Sequence, residues 1–114
     1  MPNPEAPVEA QLAAYNRQDI EAFLACFHPD VEFIRWPDRV LETGHAAFRR
    51  AYTELWQRSP RLKARILNRM VVGRFVIDLE QLTDHANGPM APLAVIYETQ
   101  DGLIRRCWVM SDKS

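Results

Sequence analysis

From Ala91 to Met110 the chain reads Ala-Pro-Leu-Ala-Val-Ile-Tyr-Glu-Thr-Gln-Asp-Gly-Leu-Ile-Arg-Arg-Cys-Trp-Val-Met. Two runs rich in apolar and β-branched residues, Ala91 to Thr99 and Leu103 to Met110, flank Asp101-Gly102. An Asp-Gly pair between such runs is a strong hairpin signal, because the tight turn that matches strand twist needs positive φ at both central residues. Upstream, Arg74 to Thr83 and Leu62 to Val72 have the same character, with Gly73 between them. Residues 84–89 (Asp-His-Ala-Asn-Gly-Pro) form the one long connection. Four strands in a meander are therefore predicted for the second half of the chain.

Ahead of the meander the apolar period lengthens. Val8, Leu12 and Tyr15 recur at near-helical spacing, and Asn16-Arg17-Gln18-Asp19 supplies a helix stop followed by an N-cap. Ile20, Phe23, Leu24 and Phe27 then stand at i, i+3, i+4 and i+7, which predicts a second helix. His28-Pro29-Asp30 breaks it, because the residue before proline is pushed out of the helical region. Val31 to Trp36 reads as a short strand closed by Pro37-Asp38-Arg39. A third helix starts at Thr43-Gly44, presents Phe48, Tyr52, Leu55 and Trp56 on one face, and ends at Ser59-Pro60.

Helices first and hairpin-linked strands afterwards give an α+β domain, with three helices covering one face of an antiparallel sheet. Strands of about ten residues twist and coil, so the sheet should curve around the helices and leave a hollow that a chain of this size does not fill. The outer face needs cover as well. Ile96 with Tyr97 and Cys107 with Trp108 place large apolar groups at both parities, and a second copy of the chain is the simplest lid.

With 114 residues, 47% apolar and 25% charged, the chain fits a single globular domain over residues 1–114, with residues 1–7 a disordered lead-in. Fourteen basic against fifteen acidic residues leave a net charge of -1 and no broad positive field for nucleic acid. Cys26 and Cys107 lie in apolar stretches without a nearby metal-type or redox-type partner and read as buried thiols. His28, His45 and His85 have no second ligand at i+3 or i+4, so neither a metal nor a cofactor is expected. No run of about 20 apolar residues is available to span a bilayer, and Met1 to Glu5 lacks a basic start and an apolar core. A cytoplasmic location is the expectation.

Leu12 to Asp19, Phe23 to Phe27, Pro29-Asp30-Val31-Glu32-Phe33, the Gly44-led helix and Tyr97 to Ile104 together resemble the nuclear transport factor 2-like superfamily, which includes ketosteroid isomerases and SnoaL-type polyketide cyclases. The likeness runs from about Val8 to Asp112 and rests on motifs that set architecture. It implies a cone-shaped domain with a pocket at the open end and a dimer through the sheet. Carried over by position, the isomerases' oxyanion-binding tyrosine falls on Gln11, their base near Arg35 or Trp36, and their protonated acid on Ala94. Tyr52 matches a supporting tyrosine of that network. The cyclases' last-strand His-Trp-Asp corresponds to Cys107-Trp108-Val109, which keeps the tryptophan alone.

Strand alternation combined with the resemblance places Ala94, Ile96 and Glu98 on the concave side beside Arg105, Cys107 and Val109. Glu98 and Arg105 then form either a pocket pair, with the carboxylate a candidate base, or a cross-strand ion pair near the rim. Asp38 is a second candidate base if its loop folds over the pocket mouth, and otherwise serves the turn after Pro37. Tyr15, Trp36 and Trp56 are expected to wall the pocket or fill the core, whereas Tyr97 and Trp108 are expected as anchors of the dimer. Asp78 and Glu80 share one strand face. Phe75, Ile77 and Leu79 claim the other parity for the core, so a solvated face is expected and paired acid–base carboxylates are the alternative.

These features support a binder of a small, mainly apolar molecule. An isomerase, cyclase or hydrolase using Glu98 or Asp38 with Tyr52 and Arg105 is a second reading. A dimeric accessory module with a vestigial pocket is a third.

Overall fold

A computed structural model describes residues 3–112. Its elements are α1 (Glu5–Arg17), α2 (Ile20–Leu24), β1 (Phe27–Arg35), β2 (Arg39–Thr43), α3 (Gly44–Arg58), β3 (Lys63–Val72), β4 (Phe75–Thr83), β5 (Leu93–Gln100) and β6 (Leu103–Met110). Helices and a six-stranded, curved, open sheet in the order β2-β1-β6-β5-β4-β3 form the α+β architecture that the residue pattern predicts. All neighbours are antiparallel except β1 and β6, which run parallel. Helix α1 contacts β3 and β6, while α3 contacts β1 and β2.

The local signals act where they stand. Gln18 takes the left-handed conformation that ends α1, and Asp19 Oδ1 accepts from the Ala22 N–H to cap α2. Asp101 and Gly102 have φ of 55° and 79°, the pair of positive angles that the tight hairpin requires. Three expectations are corrected. The helix α1 begins at Glu5 with Pro7 buried, so the disordered lead-in is not found over residues 5–7; residues 1 and 2 lie outside the described residues. Helix α2 stops at Leu24, and Phe27 opens β1 instead of completing a helical stripe. Arg39–Thr43 forms an extra edge strand, paired with β1.

The sheet has two apolar faces. Between the inner one and the helices, Phe23, Val31, Phe48, Leu62, Val76 and Ile104 are almost wholly buried, and the rings of Tyr15, Phe23, Phe27, Tyr52 and Trp56 pack edge-on or tilted at centroid separations of 4.6 to 6.2 Å. Each such pair contributes about 0.5–1.5 kcal/mol beyond area burial. On the outer face one apolar row crosses all six strands: Met70 pairs with Ile77, Ile77 with Ile96, Ile96 with Trp108, Trp108 with Ile34, and Ile34 with Val40.

Candidate functional site

Between the helices and the inner face lies a cavity of about 320 Å³ with a predominantly apolar wall. Of the residues expected there, Tyr15, Tyr52 and Cys107 line it, together with Val109. Trp56 stands just behind, 6% exposed and packed on Tyr15, Phe23 and Tyr52. Burial raises the Tyr52 and Cys107 pKa values far above their usual range, so Cys107 stays a thiol and is no nucleophile.

The β5 parity is the reverse of the expected one. Leu93, Val95 and Tyr97 face the cavity, while Ala94, Ile96 and Glu98 lie on the outer face. The cause is a β-bulge. Gln100 and Thr99 pair with Leu103 and Ile104, but Glu98 then pairs with Arg106 and Tyr97 with Cys107, which leaves Arg105 as the extra residue. A one-residue slip turns every subsequent side chain over. Glu98 therefore pairs with Arg74 at 2.9 Å and Arg106 at 3.0 Å, not with Arg105, and Arg106 also reaches Glu32 at 3.2 Å. Arg105 instead approaches His28, at 3.5 Å. Trp36 (47% exposed) and Asp38 lie on the surface around the β1–β2 turn and do not line the cavity. Tyr97 is likewise a wall residue of the cavity and no outer-face anchor.

The polar group at this site is one the sequence pattern assigned to solvent. Glu80 on β4 lines the cavity and is only 7% exposed; its neighbour on that face, Asp78, is fully buried. The Tyr97 hydroxyl donates to Glu80 Oε2 at 2.9 Å, and Gln11 Nε2 donates to the Tyr97 oxygen at 3.3 Å. Behind them, Arg69 donates twice to Asp78, at 2.6 and 2.9 Å, and also meets Glu9 and Glu5 of α1. Burial, and to a lesser degree the Asp78 charge, lift the Glu80 pKa to about 7, against the Tyr97 hydrogen bond and the Arg69 charge. Glu80 thus changes protonation near neutral pH inside a hollow, the condition for moving a proton to or from a guest. Among the described residues no three His, Cys, Asp or Glu side chains converge as a metal site.

A SnoaL-like domain family model matches residues 8–107, and the chain belongs to that family, within the nuclear transport factor 2-like superfamily. No curated protein matches the sequence. Among solved structures, a cystatin-fold protein from Novosphingobium aromaticivorans superposes with a TM-score of 0.83 at 23% identity, covering 96% of this chain and 97% of that one. A candidate polyketide cyclase from Sinorhizobium meliloti gives 0.79 at 20% identity, covering 90% and 92%. A candidate ketosteroid isomerase from Kribbella flavida gives 0.79 at 19%, covering 97% and 78%. At these identities the likeness is one of fold.

Proposed function

We propose that the protein binds a small, mainly apolar molecule in the cavity between helices and sheet. The observation that supports this reading is the hollow itself: about 320 Å³ walled mainly by aromatic and aliphatic side chains, with Glu80 set into the wall. A compact guest there would remove its apolar surface from water at about 25 cal/mol per Å² while keeping one polar end on Glu80. The test is a thermal-shift panel of flat and branched apolar compounds, run on the native chain and on Val95→Phe, which fills the hollow from β5. A guest at 100 times its dissociation constant adds about 2.7 kcal/mol, a shift of roughly 8 °C or more for a domain of this size. The native chain should show such a shift and Val95→Phe should lose it. Silence across the panel, or equal shifts in both proteins, overturns the proposal.

A second reading, acid–base catalysis of the isomerase, cyclase or hydrolase kind, is favoured by the Glu80 pKa of about 7. It moves the base from Glu98 and Asp38, which do not line the cavity, to Glu80. The vestigial-pocket reading is the weaker one, since the protein's own side chains leave the interior open.

The proposal extends to a homodimer through the outer face, where Met70 is 55% exposed, Ile77, Ile96 and Trp108 are half-buried, and Leu79 and Met110 are 40% and 42% exposed. A cytoplasmic location remains part of the same proposal; no helix of the described residues is long and apolar enough to cross a membrane. Trp108→Ala should shift sedimentation toward monomer and leave ligand-induced melting shifts in place. A dimer that persists unchanged would contradict the Trp108 assignment.

A further inference from the structure

The charged groups lining the cavity are both acidic. Glu80 and Glu42 line it, and no Arg, Lys or His is among the lining residues. Arg69, which sits behind the wall, is committed to Asp78, Glu9 and Glu5. Glu80 Oε2 accepts from Tyr97, whereas Oε1 has no hydrogen-bond partner among the described residues and, unlike Trp56 Nε1, is not sealed from the hollow. The Glu42 side chain makes no hydrogen bond or ion pair among the described residues. Five aromatic rings share this wall: Tyr15, Phe27, Phe33, Tyr52 and Tyr97. The hydroxyls of Tyr15 and Tyr52 have no hydrogen-bond partner among the described residues, and their rings stand edge to face at 6.2 Å.

An aromatic enclosure with a carboxylate in its wall is chemically one-sided. Ring faces carry negative quadrupole and attract an ammonium, most strongly where water is excluded. An anionic guest meets the same rings and two carboxylates, with no cation to offset the lost hydration. A neutral guest gains the apolar contacts and one uncharged hydrogen bond to Glu80, without the charge attraction. We propose that the cavity selects a cationic amine on an apolar frame, with the ammonium against Glu80 Oε1 and the frame among the rings. This inference rests on the cavity-binding reading above and names the charge class of its guest.

Proton linkage follows from the same placement. The groups facing Glu80 are Gln11 and Tyr15 from α1, Glu42 from β2, Tyr52 from α3, Asp78 within β4 with Arg69 of β3 behind it, Tyr97 from β5 and Cys107 from β6. None of the facing side chains is a free cation, so an arriving ammonium supplies the missing counter-charge and lowers the Glu80 pKa from its value of about 7. Amine binding therefore expels the Glu80 proton below neutrality. Affinity should rise with pH up to about 7 and then level off until the amine itself loses its charge, near 10 for an alkylammonium.

The experiment is calorimetry with three probes on one frame: 1-naphthylmethylamine, 1-naphthalenemethanol and 1-naphthoate. At about pH 8 the amine should bind at least about tenfold more tightly than the alcohol, and the naphthoate should bind weakest. At about pH 6, buffers of different ionisation enthalpy should report close to one proton released per amine bound. Glu80→Gln should bring the amine down to the alcohol's affinity, with a near-UV circular dichroism spectrum matching the native chain to show the aromatic wall still formed. If the alcohol or the naphthoate matches or exceeds the amine, the charge preference is overturned while the cavity reading stands. If none of the three binds, both fail. An amine advantage that survives Glu80→Gln overturns the role of Glu80 as counter-ion.

Discussion

Arg69→Met is expected to cost about 3–5 kcal/mol of folding stability, read as a lower denaturant midpoint at unchanged slope. Asp78 is fully buried, and Arg69, its side chain 14% exposed, donates to both of its oxygens. Removing the guanidinium leaves a carboxylate in the core with neither counter-ion nor water, which is the expensive way to break a buried pair. Removing both partners is different, because an apolar pair of similar volume needs no desolvation of charge. Arg69→Met with Asp78→Leu should therefore recover most of the loss. Glu80 provides an independent readout. Arg69 lowers its pKa and Asp78 raises it, so Arg69→Met should push it higher and Asp78→Asn should bring it down. A single-mutant cost below about 1 kcal/mol would mean that water reaches Asp78 and that the pair behaves as a surface bridge.

The network explains which parts of this molecule were legible in its sequence. Local signals with a local physical cause act as expected: Asp101-Gly102 turns the chain because its φ angles are positive, and Asp19 caps α2 because its side chain reaches the Ala22 N–H. Length and hydrophobic period place β3 to β6 within a residue or two. What failed was parity. On β5 and β6 both faces are apolar, so periodicity does not choose between them, and a regular Asp-Gly hairpin would set Ile96 opposite Cys107. The bulge at Arg105 shifts that pairing by one residue, and nothing in Arg105-Arg106 announces it. On β4 the error has another origin. The pattern assigns Asp78 and Glu80 to solvent because Phe75, Ile77 and Leu79 claim the other parity for the core, yet distant residues lower the cost of burying the two acids: Arg69 from β3 for one, Tyr97 from β5 with Gln11 behind it for the other. A signal did exist. With Phe75, Ile77 and Leu79 on one side and Ile96 and Trp108 on neighbouring strands, an apolar outer face leaves the inner face for the acids. Val40 and Leu41 are missed for a simpler reason, since a two-residue apolar core is too short to mark β2 without its partner β1.

Glu80→Gln is expected to stabilise the protein at about pH 8 by up to about 3 kcal/mol, with the gain fading to nothing near pH 4. The sign follows from linkage. The Glu80 pKa is about 7 in the folded chain against an ordinary 4.5, so between those values the folded state holds more protons than the unfolded one. Stability therefore falls as pH rises across that window, and above it the full penalty of an ionised carboxylate in an apolar wall persists. Glutamine keeps an oxygen that accepts from Tyr97 and carries no charge at any pH, so the variant should lack this slope. Denaturant melts of both proteins at several pH values check it: a difference that is the same at pH 5 and pH 8 would show that Glu80 does not titrate in this window. The stabilised variant is also the one expected to lose its preference for an amine over an alcohol. A carboxylate that weakens the fold at neutral pH and strengthens the hold on a cation is a cost placed where a ligand can offset it, so the amine should restore to the native chain the stability that glutamine confers without it.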